Sequence, residues 1–384
     1  MGLQIAVPRE SVEGERRVAA VPETVSRLSA LGARVAVESS AGAAAGFADD
    51  AYREAGAEIV ADGGALWANA DVLVKVAAPS AEEIARLRSG TTLLSFVNPL
   101  GEPQRARELA ERGVTTFAME LIPRISRAQS MDALSSMSTI AGYKAVLLAA
   151  VQLPKLFPLL MTAAGTIAPA RVLVLGAGVA GLQAIATARR LGAVVSAFDT
   201  RAVVKEQVES LGATFLALEL PTRDAEAAGG YARALTHEEE QQERALVAKA
   251  VAASDVVITT ALVPGKRAPV LITDETLRTM RPGSVIVDLA AEAGGNCEGA
   301  VPGQSAVLHG VTVIAPLNVP SGVPTHASQL YARNVANLLA LIVKDGALRL
   351  DFEDEVVRGT CLTHDGRVLH AATAALLQTT EEKG

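Results

Sequence analysis

Apolar and polar positions follow two alternating periods along the chain. Short β-rich runs at 5–7, 35–37, 72–76, 92–97 and 114–118 are separated by helix-period segments, of which 24–31 and 50–55 stop at Gly32 and Gly56. Ser80-Ala81-Glu82-Glu83 has capping-box spacing and predicts a helix from there to Arg88. Strands that alternate with helices of about ten residues pair in parallel through βαβ units. A helix-rich bridge follows at 126–128 and 131–151, interrupted only by Gly142 and long enough to connect two domains. Ala168-Pro169-Ala170 then punctuates the chain, and strands recur at 172–175, 194–198, 215–218, 256–260, 285–289 and 311–314. Six is the number a full dinucleotide-binding sheet uses.

Near the end, an apolar helix at 328–343 is followed by Asp365-Gly366, which joins 360–363 to 367–370 as a two-residue hairpin. That helix is too apolar to stand alone, so the C-terminal segment is expected to return to the first domain. The fold class expected is α/β, with two Rossmann-like, doubly wound parallel-sheet domains joined by long helices. The division is 1–137 completed by 328–384, and 138–327. The polar stretch 219–244 fits no compact element. It reads either as a solvated loop entering a helix at 237–253 or as a mobile lid near 219–236, since long insertions in ligand-binding sheets are often functional.

The first chemical signal is Gly176-Ala177-Gly178-Val179-Ala180-Gly181, which follows a strand and opens a helix at 182–190. Gly176 allows the tight turn, Gly178 the approach of a pyrophosphate, and Gly181 close helix–strand packing. The helix N-terminus adds free N–H groups and a positive dipole end. Asp199 closes the next strand, eighteen residues after Gly181. It can accept both adenosine ribose hydroxyls and repel a 2′-phosphate, which favours NAD(H) over NADP(H); Arg201 argues the other way, because it can pair with that phosphate. A tight turn without ligand is the plainer alternative. The second signal is the polar loop Arg124-Ile125-Ser126-Arg127-Ala128-Gln129-Ser130-Met131-Asp132 before the long helix. Read locally it is a capped helix start with solvated charges. Read by its place between the two series of elements, its Arg, Gln and Asp can hydrogen-bond a carboxamide and a ribose.

Composition narrows the classes. Against 35 basic residues stand 42 acidic ones, a net charge of −7, and aromatic residues make up only 3%. Phosphate-backbone binding wants a concentrated basic patch and base stacking wants aromatic platforms, so no nucleic-acid partner is expected. Cys297 and Cys361 provide neither a disulfide framework nor a metal-ligand spacing, and the five histidines are scattered. The N-terminus lacks a basic and an apolar region, predicting no signal peptide. The apolar stretch 156–175 is broken by Pro158, Gly165, Pro169 and Arg171, so no direct membrane insertion is expected and the chain reads as soluble and cytoplasmic. There is also no nucleophile elbow, metal cluster or evident acid–base pair. Hydride transfer between two nucleotides needs none of these, because the cofactor carries the chemistry; oxidation of an alcohol or amine would need a base.

These residues together resemble the alanine dehydrogenase/transhydrogenase family, and specifically the NAD(H)-binding alpha subunits (domain I) of proton-translocating NAD(P) transhydrogenases. The resemblance spans essentially the whole chain. It rests on Val7-Pro8-Arg9-Glu10, Glu15-Arg16-Arg17-Val18-Ala19, the run from Met119 to Asp132 and the glycine fingerprint. Lys205-Glu206-Gln207-Val208-Glu209-Ser210, Pro264-Gly265-Lys266 and Ala293-Gly294-Gly295-Asn296-Cys297 extend it. The resemblance implies that Arg124, Gln129 and Asp132 hold the nicotinamide end of NAD(H), with Ser135 and Tyr143 close by. It implies further nucleotide contacts from Arg127, Val179, Thr200, Arg201 and Leu262, beside Gly176, Gly178, Gly181 and Asp199. Gly230 and Tyr231 correspond to a mobile loop that closes over the nucleotide. Other expected components are a membrane-spanning proton-channel subunit, an NADP(H)-binding subunit and a second copy of this chain. The expected location is peripheral to the inner face of the cell membrane through those partners. In alanine dehydrogenases the residues matching Arg17 and Lys75 hold the substrate, but the histidine expected near Phe96 is missing here. An alanine dehydrogenase and a non-catalytic NAD(H)-sensing module are the alternatives.

Overall fold

Strand-forming runs bounded by glycine turns organise the chain from its start. The computed structural model describes residues 2–217, 237–262 and 265–381, and element counts refer to these. The chain lays down β1 (Gln4–Val7), β2 (Arg34–Glu38), β3 (Glu58–Val60), β4 (Val72–Val74), β5 (Thr92–Ser95) and β6 (Thr115–Ala118), all parallel. β4, β5 and β6 are buried at every position, as sheet strands covered on both faces must be. The capping box forms as expected: Ser80 Oγ accepts the Glu83 N–H at 3.2 Å and Glu83 Oε2 accepts the Ser80 N–H at 2.9 Å. Its helix, Ala81–Arg86, stops two residues before Arg88.

The long helix is Ala133–Gln152, preceded by a 3-10 turn, Ser126–Met131. It starts later than expected because Asp132 sits outside it in extended backbone. By length and composition this helix, with mean hydropathy 1.4, is apolar enough to cross a membrane; 33% of it is buried. Gly142 allows close packing along it, since a Cβ there would lie 2.1 Å from the Ala180 carbonyl oxygen. The apolar stretch after it is no helix. It forms a hairpin of β7 (Leu160–Thr162) and β8 (Gly165–Ile167), exposed at all six positions.

The second sheet comprises β9 (Arg171–Leu175), β10 (Val194–Phe198), β11 (Thr214–Leu216), β12 (Val256–Thr259), β13 (Val285–Asp288), β14 (Ser305–Leu308) and β15 (Val311–Ile314). Its order is β11-β10-β9-β12-β13-β15-β14. All pairings are parallel except β14 with β15, an edge strand that its short, half-exposed pattern did not announce. Alternate residues of β9 feed two cores: Val172 and Val174 on one face, Leu173 and Leu175 on the other. The chain leaves β9 first for β10 and later for β12 on its other side, so the β9/β12 boundary is a topological switch point, where such sheets bind ligands.

After the helix Pro324–Ile342 and the small pair β16 (Val343–Lys344) and β17 (Ala347–Leu348), the hairpin β18 (Cys361–His364) and β19 (Arg367–Val368) adds antiparallel to β6. Its turn residues Asp365 and Gly366 have φ of 47° and 73°, as a primed two-residue turn requires. One unit is Met1–Met137 with Pro320–Gly384, the other Ser138–Val319. The return lies at Pro320 rather than 328, because Ser321 Oγ already accepts the Arg16 N–H at 2.6 Å and donates to the Gly14 carbonyl at 2.9 Å.

Candidate functional site

At the carboxyl end of β9, Gly176 takes φ 98°, and a Cβ there would meet Thr260 Oγ1 at 2.6 Å. Gly181 packs against the same turn, its imaginary Cβ only 1.9 Å from the Gly176 carbonyl oxygen. Gly178 differs: a Cβ there would have no atom within 4 Å. Its lack of a side chain therefore serves no packing within the chain and leaves the backbone open to a ligand. Gly178 is the N-cap of the twelve-residue helix Val179–Arg190 and offers no side-chain cap. The first-turn N–H groups and the positive dipole end are thus available to an anion.

Asp199 follows β10 directly. Its Oδ2 accepts the Ala177 N–H at 2.7 Å, which ties it to the glycine turn. Arg201 donates its N–H to Oδ1 at 2.9 Å, and its guanidinium grips both oxygens at 3.0 Å. The Asp199 side chain is 7% exposed and that of Arg201 44%. Burial pushes the Asp199 carboxyl up, but the bonds from Arg201 and Ala177 outweigh it and hold the group below the ordinary aspartate value. The two residues that pointed in opposite directions in the sequence are therefore one ion pair. Thr200 is exposed beside them, as are Val179 and Leu262, at the rims of the β9 and β12 turns. A dinucleotide fits this set: an uncapped helix start, an open glycine and a carboxylate on the neighbouring strand.

The loop residues Arg124, Arg127, Gln129, Asp132 and Ser135 belong to the first unit. Arg124 and Gln129 are exposed. Arg127 Nη1 and Nη2 donate to the Asp354 carboxylate at 2.9 and 2.7 Å. Asp132 accepts the Ser135 N–H at 2.9 Å and the Ser135 hydroxyl at 2.6 Å, so it serves as the side-chain cap of the long helix. Two residues missed in the sequence hold this loop: Asn334 and Asn337 each donate an Nδ2 hydrogen to the Ser130 carbonyl at 2.9 Å. Their only local signal was a pair of amides three apart in an apolar helix. Tyr143 lies 40% exposed on the long helix. Gly230 and Tyr231, and most of the expected mobile loop, lie outside the described residues.

Arg17 and Lys75 both have carboxylate partners. Arg17 Nε and Nη2 donate to Glu15 at 2.8 and 2.6 Å. Lys75, fully buried, donates to both Glu83 oxygens at 2.9 and 3.0 Å, and Glu10 lies 3.4 Å away. Burial raises the Glu10 carboxyl above its usual value; at Glu83 burial is outweighed by Lys75, which holds that group low. Tyr331, its ring 5.3 Å from that of Phe96, donates its hydroxyl to the Lys75 carbonyl at 2.7 Å.

Comparison with known proteins agrees with this arrangement. Residues 6–141 match the N-terminal domain and residues 145–371 the C-terminal domain of the alanine dehydrogenase/PNT family. Over 378 residues the chain is 49% identical to an NAD(P) transhydrogenase subunit alpha chain of Rhodospirillum rubrum, covering 96% of this chain and 98% of that one. It is 33% identical over 381 residues to the alanine dehydrogenase of Bacillus subtilis, covering 96% and 93%. A solved transhydrogenase from Sinorhizobium meliloti superposes with TM-score 0.84 at 46% identity, covering 96% of this chain and 99% of that one. An L-alanine dehydrogenase structure superposes with TM-score 0.82 at 28% identity, covering 98% and 99%. With both halves matched in order along one chain, the protein belongs to the alanine dehydrogenase/PNT family, among its NAD(P) transhydrogenase alpha subunits.

Proposed function

We propose that this chain is the NAD(H)-binding component of a proton-translocating NAD(P) transhydrogenase. It would present bound NADH to NADP⁺ held on a partner component, with proton movement through a separate membrane component. The observation that carries the reading is the open backbone at Gly178, set at a switch point and followed by Asp199 on the next strand. When bound, the dinucleotide supplies the chemistry: a hydride leaves C4 of the dihydronicotinamide for C4 of the oxidised ring of NADP⁺, giving NAD⁺ and NADPH with no proton released. This chain's residues bind and orient. The first turn of the helix Val179–Arg190 takes the pyrophosphate, and Asp199 takes the adenosine ribose hydroxyls once Arg201 swings aside. Arg124 and Gln129, exposed on the loop before the long helix, hold the nicotinamide end together with Asp132 and Ser135, and Tyr231 closes over the nucleotide. The chain would act as a homodimer, peripheral to the cytoplasmic face of the membrane.

The test is reconstitution. Calorimetry should detect NADH binding to the chain alone, and hydride transfer to an NADP⁺ analogue should appear only when the NADP(H)-binding component is added. Robust transhydrogenation by the isolated chain would overturn the assignment. Substantial NADH formation from alanine and NAD⁺ would favour an alanine dehydrogenase instead; the carboxylates already on Arg17 and Lys75 speak against it. Arg124→Ala separates catalysis from sensing, because unchanged transfer in the reconstituted system removes the catalytic role.

A further inference from the structure

We infer that Asn296 is a positioning residue for the dinucleotide, its buried side-chain amide fixing the wall of the crevice that follows β12. The inference rests on the NAD(H) reading above. At the switch point one wall is the glycine turn after β9, and the other begins at Thr260 and Ala261. Thr260 still pairs with the sheet, its N–H donating to the Leu175 carbonyl at 2.8 Å, and its hydroxyl donates to the Gly176 carbonyl at 3.1 Å. Beyond it the chain turns out of the sheet, and Asn296 takes over the role of a neighbouring strand. Its Oδ1 accepts the Ala261 N–H at 3.1 Å, while its Nδ2 donates to the Ala261 carbonyl at 2.9 Å and to the Pro269 carbonyl at 2.8 Å. One fully buried amide thus pins both described ends of the segment that carries Leu262.

Asn296 is itself held from behind. Asp288, the fully buried last residue of β13, accepts the Asn296 and Cys297 N–H groups on Oδ2 at 2.7 and 2.9 Å. Its Oδ1 accepts the Thr259 hydroxyl and the Ala290 N–H, both at 2.9 Å. Four donors compensate the burial of this carboxylate. The chain of contacts runs from the β13 end through Asn296 to the β12 wall, and none of it touches the glycine fingerprint side at Gly178 or Asp199. In a doubly wound sheet the fingerprint half takes the adenosine and the half beyond the switch point takes the other nucleotide. Loosening Asn296 should therefore damage binding of the nicotinamide half and spare the adenosine half.

Two probes read this difference on the full chain: NADH, which spans both halves, and AMP, which occupies one. Asn296→Ala and Asn296→Ser should weaken NADH by about tenfold, the value of one to two hydrogen bonds, with AMP affinity unchanged. Equal losses for NADH and AMP, or unchanged NADH affinity in a folded variant, overturn the inference. Should neither variant fold, Thr259→Val removes one donor from Asp288 and keeps the amide. It must then weaken NADH relative to AMP, and equal effects overturn the inference. Failure of the wild-type chain to bind NADH at all is a different result, which removes the functional reading itself.

Discussion

Arg127 and Asp354 form a two-point ion pair across 227 positions of sequence, with N–O distances of 2.9 and 2.7 Å. The same Asp354 carboxylate caps the helix Glu355–Thr360 by accepting the Val356 N–H at 2.7 Å. One side chain thus anchors the loop that carries Arg124 and Gln129 and also starts a helix in the returning C-terminal segment.

Asp354→Ala should lower stability by about 1 kcal/mol, the value of a lost N-cap, and Arg127→Ala by less. The hydrogen bond from Arg127 lowers the Asp354 carboxyl from 3.8 to about 2. A depressed carboxylate contributes stability that is complete above the unfolded value and lost as pH falls through the folded one. The gap in urea midpoint between wild type and Asp354→Asn should therefore be constant above 3.8 and narrow as the pH approaches 2. A gap that widens in acid contradicts the pairing.

Two glycines of the fingerprint should respond differently to the same substitution. Gly178→Ala has open space for its methyl group, so the melting temperature should hold while NADH affinity falls. A methyl forced against a bound pyrophosphate costs about 1–3 kcal/mol, roughly tenfold or more. Gly181→Ala drives a methyl into the Gly176 carbonyl and should destabilise the fold itself by a similar or larger amount. Thermal unfolding and NADH titration of both variants decide it, and identical behaviour of the two would refute the distinction.

Asp199→Asn keeps the shape but weakens a charge-assisted acceptor worth about 1.5–3 kcal/mol, so NADH affinity should drop roughly 10- to 150-fold. Arg201→Ala frees the carboxylate from its competitor and should tighten NADH. Weaker NADH binding in Arg201→Ala would show that the guanidinium contacts the nucleotide instead. Because the Asp199 carboxyl lies below 3.8, the charge persists as the pH falls to that value and is lost only beneath it. Its contribution to NADH affinity should be flat from neutrality down to there.

Lys75→Met leaves the Glu83 carboxylate buried with its main partner gone. Removing one member of a buried pair costs about 3–5 kcal/mol, and urea unfolding should register it. Adding Glu83→Gln should restore much of the loss, because the uncompensated charge goes with it. A loss below about 1 kcal/mol, the range of surface pairs, would mean that the pair is not desolvated in solution.

What could be read from the residues alone was local. Strand and helix periods, the Ser80–Glu83 capping box, the Asp365-Gly366 turn and the spacing from Gly176 to Asp199 all act within a few residues or one βαβ unit. Their physics is complete in the sequence. The fold class and the family followed from them. The edge strands β3 and β14 escaped, since three or four half-exposed residues carry little periodicity.

Tertiary structure alone decided which polar groups meet. Arg201 lies two residues from Asp199, yet only the turn after β10 brings its guanidinium onto that carboxylate. Arg127 finds Asp354, Ser130 finds Asn334 from 204 positions away, and Asn296 reaches back to Ala261. A hydrogen bond or ion pair needs its atoms within about 3 Å, and for residues so far apart only the packing of the sheets sets that distance. Periodicity says which face a side chain takes, whereas its partner is chosen by the element that folds against it.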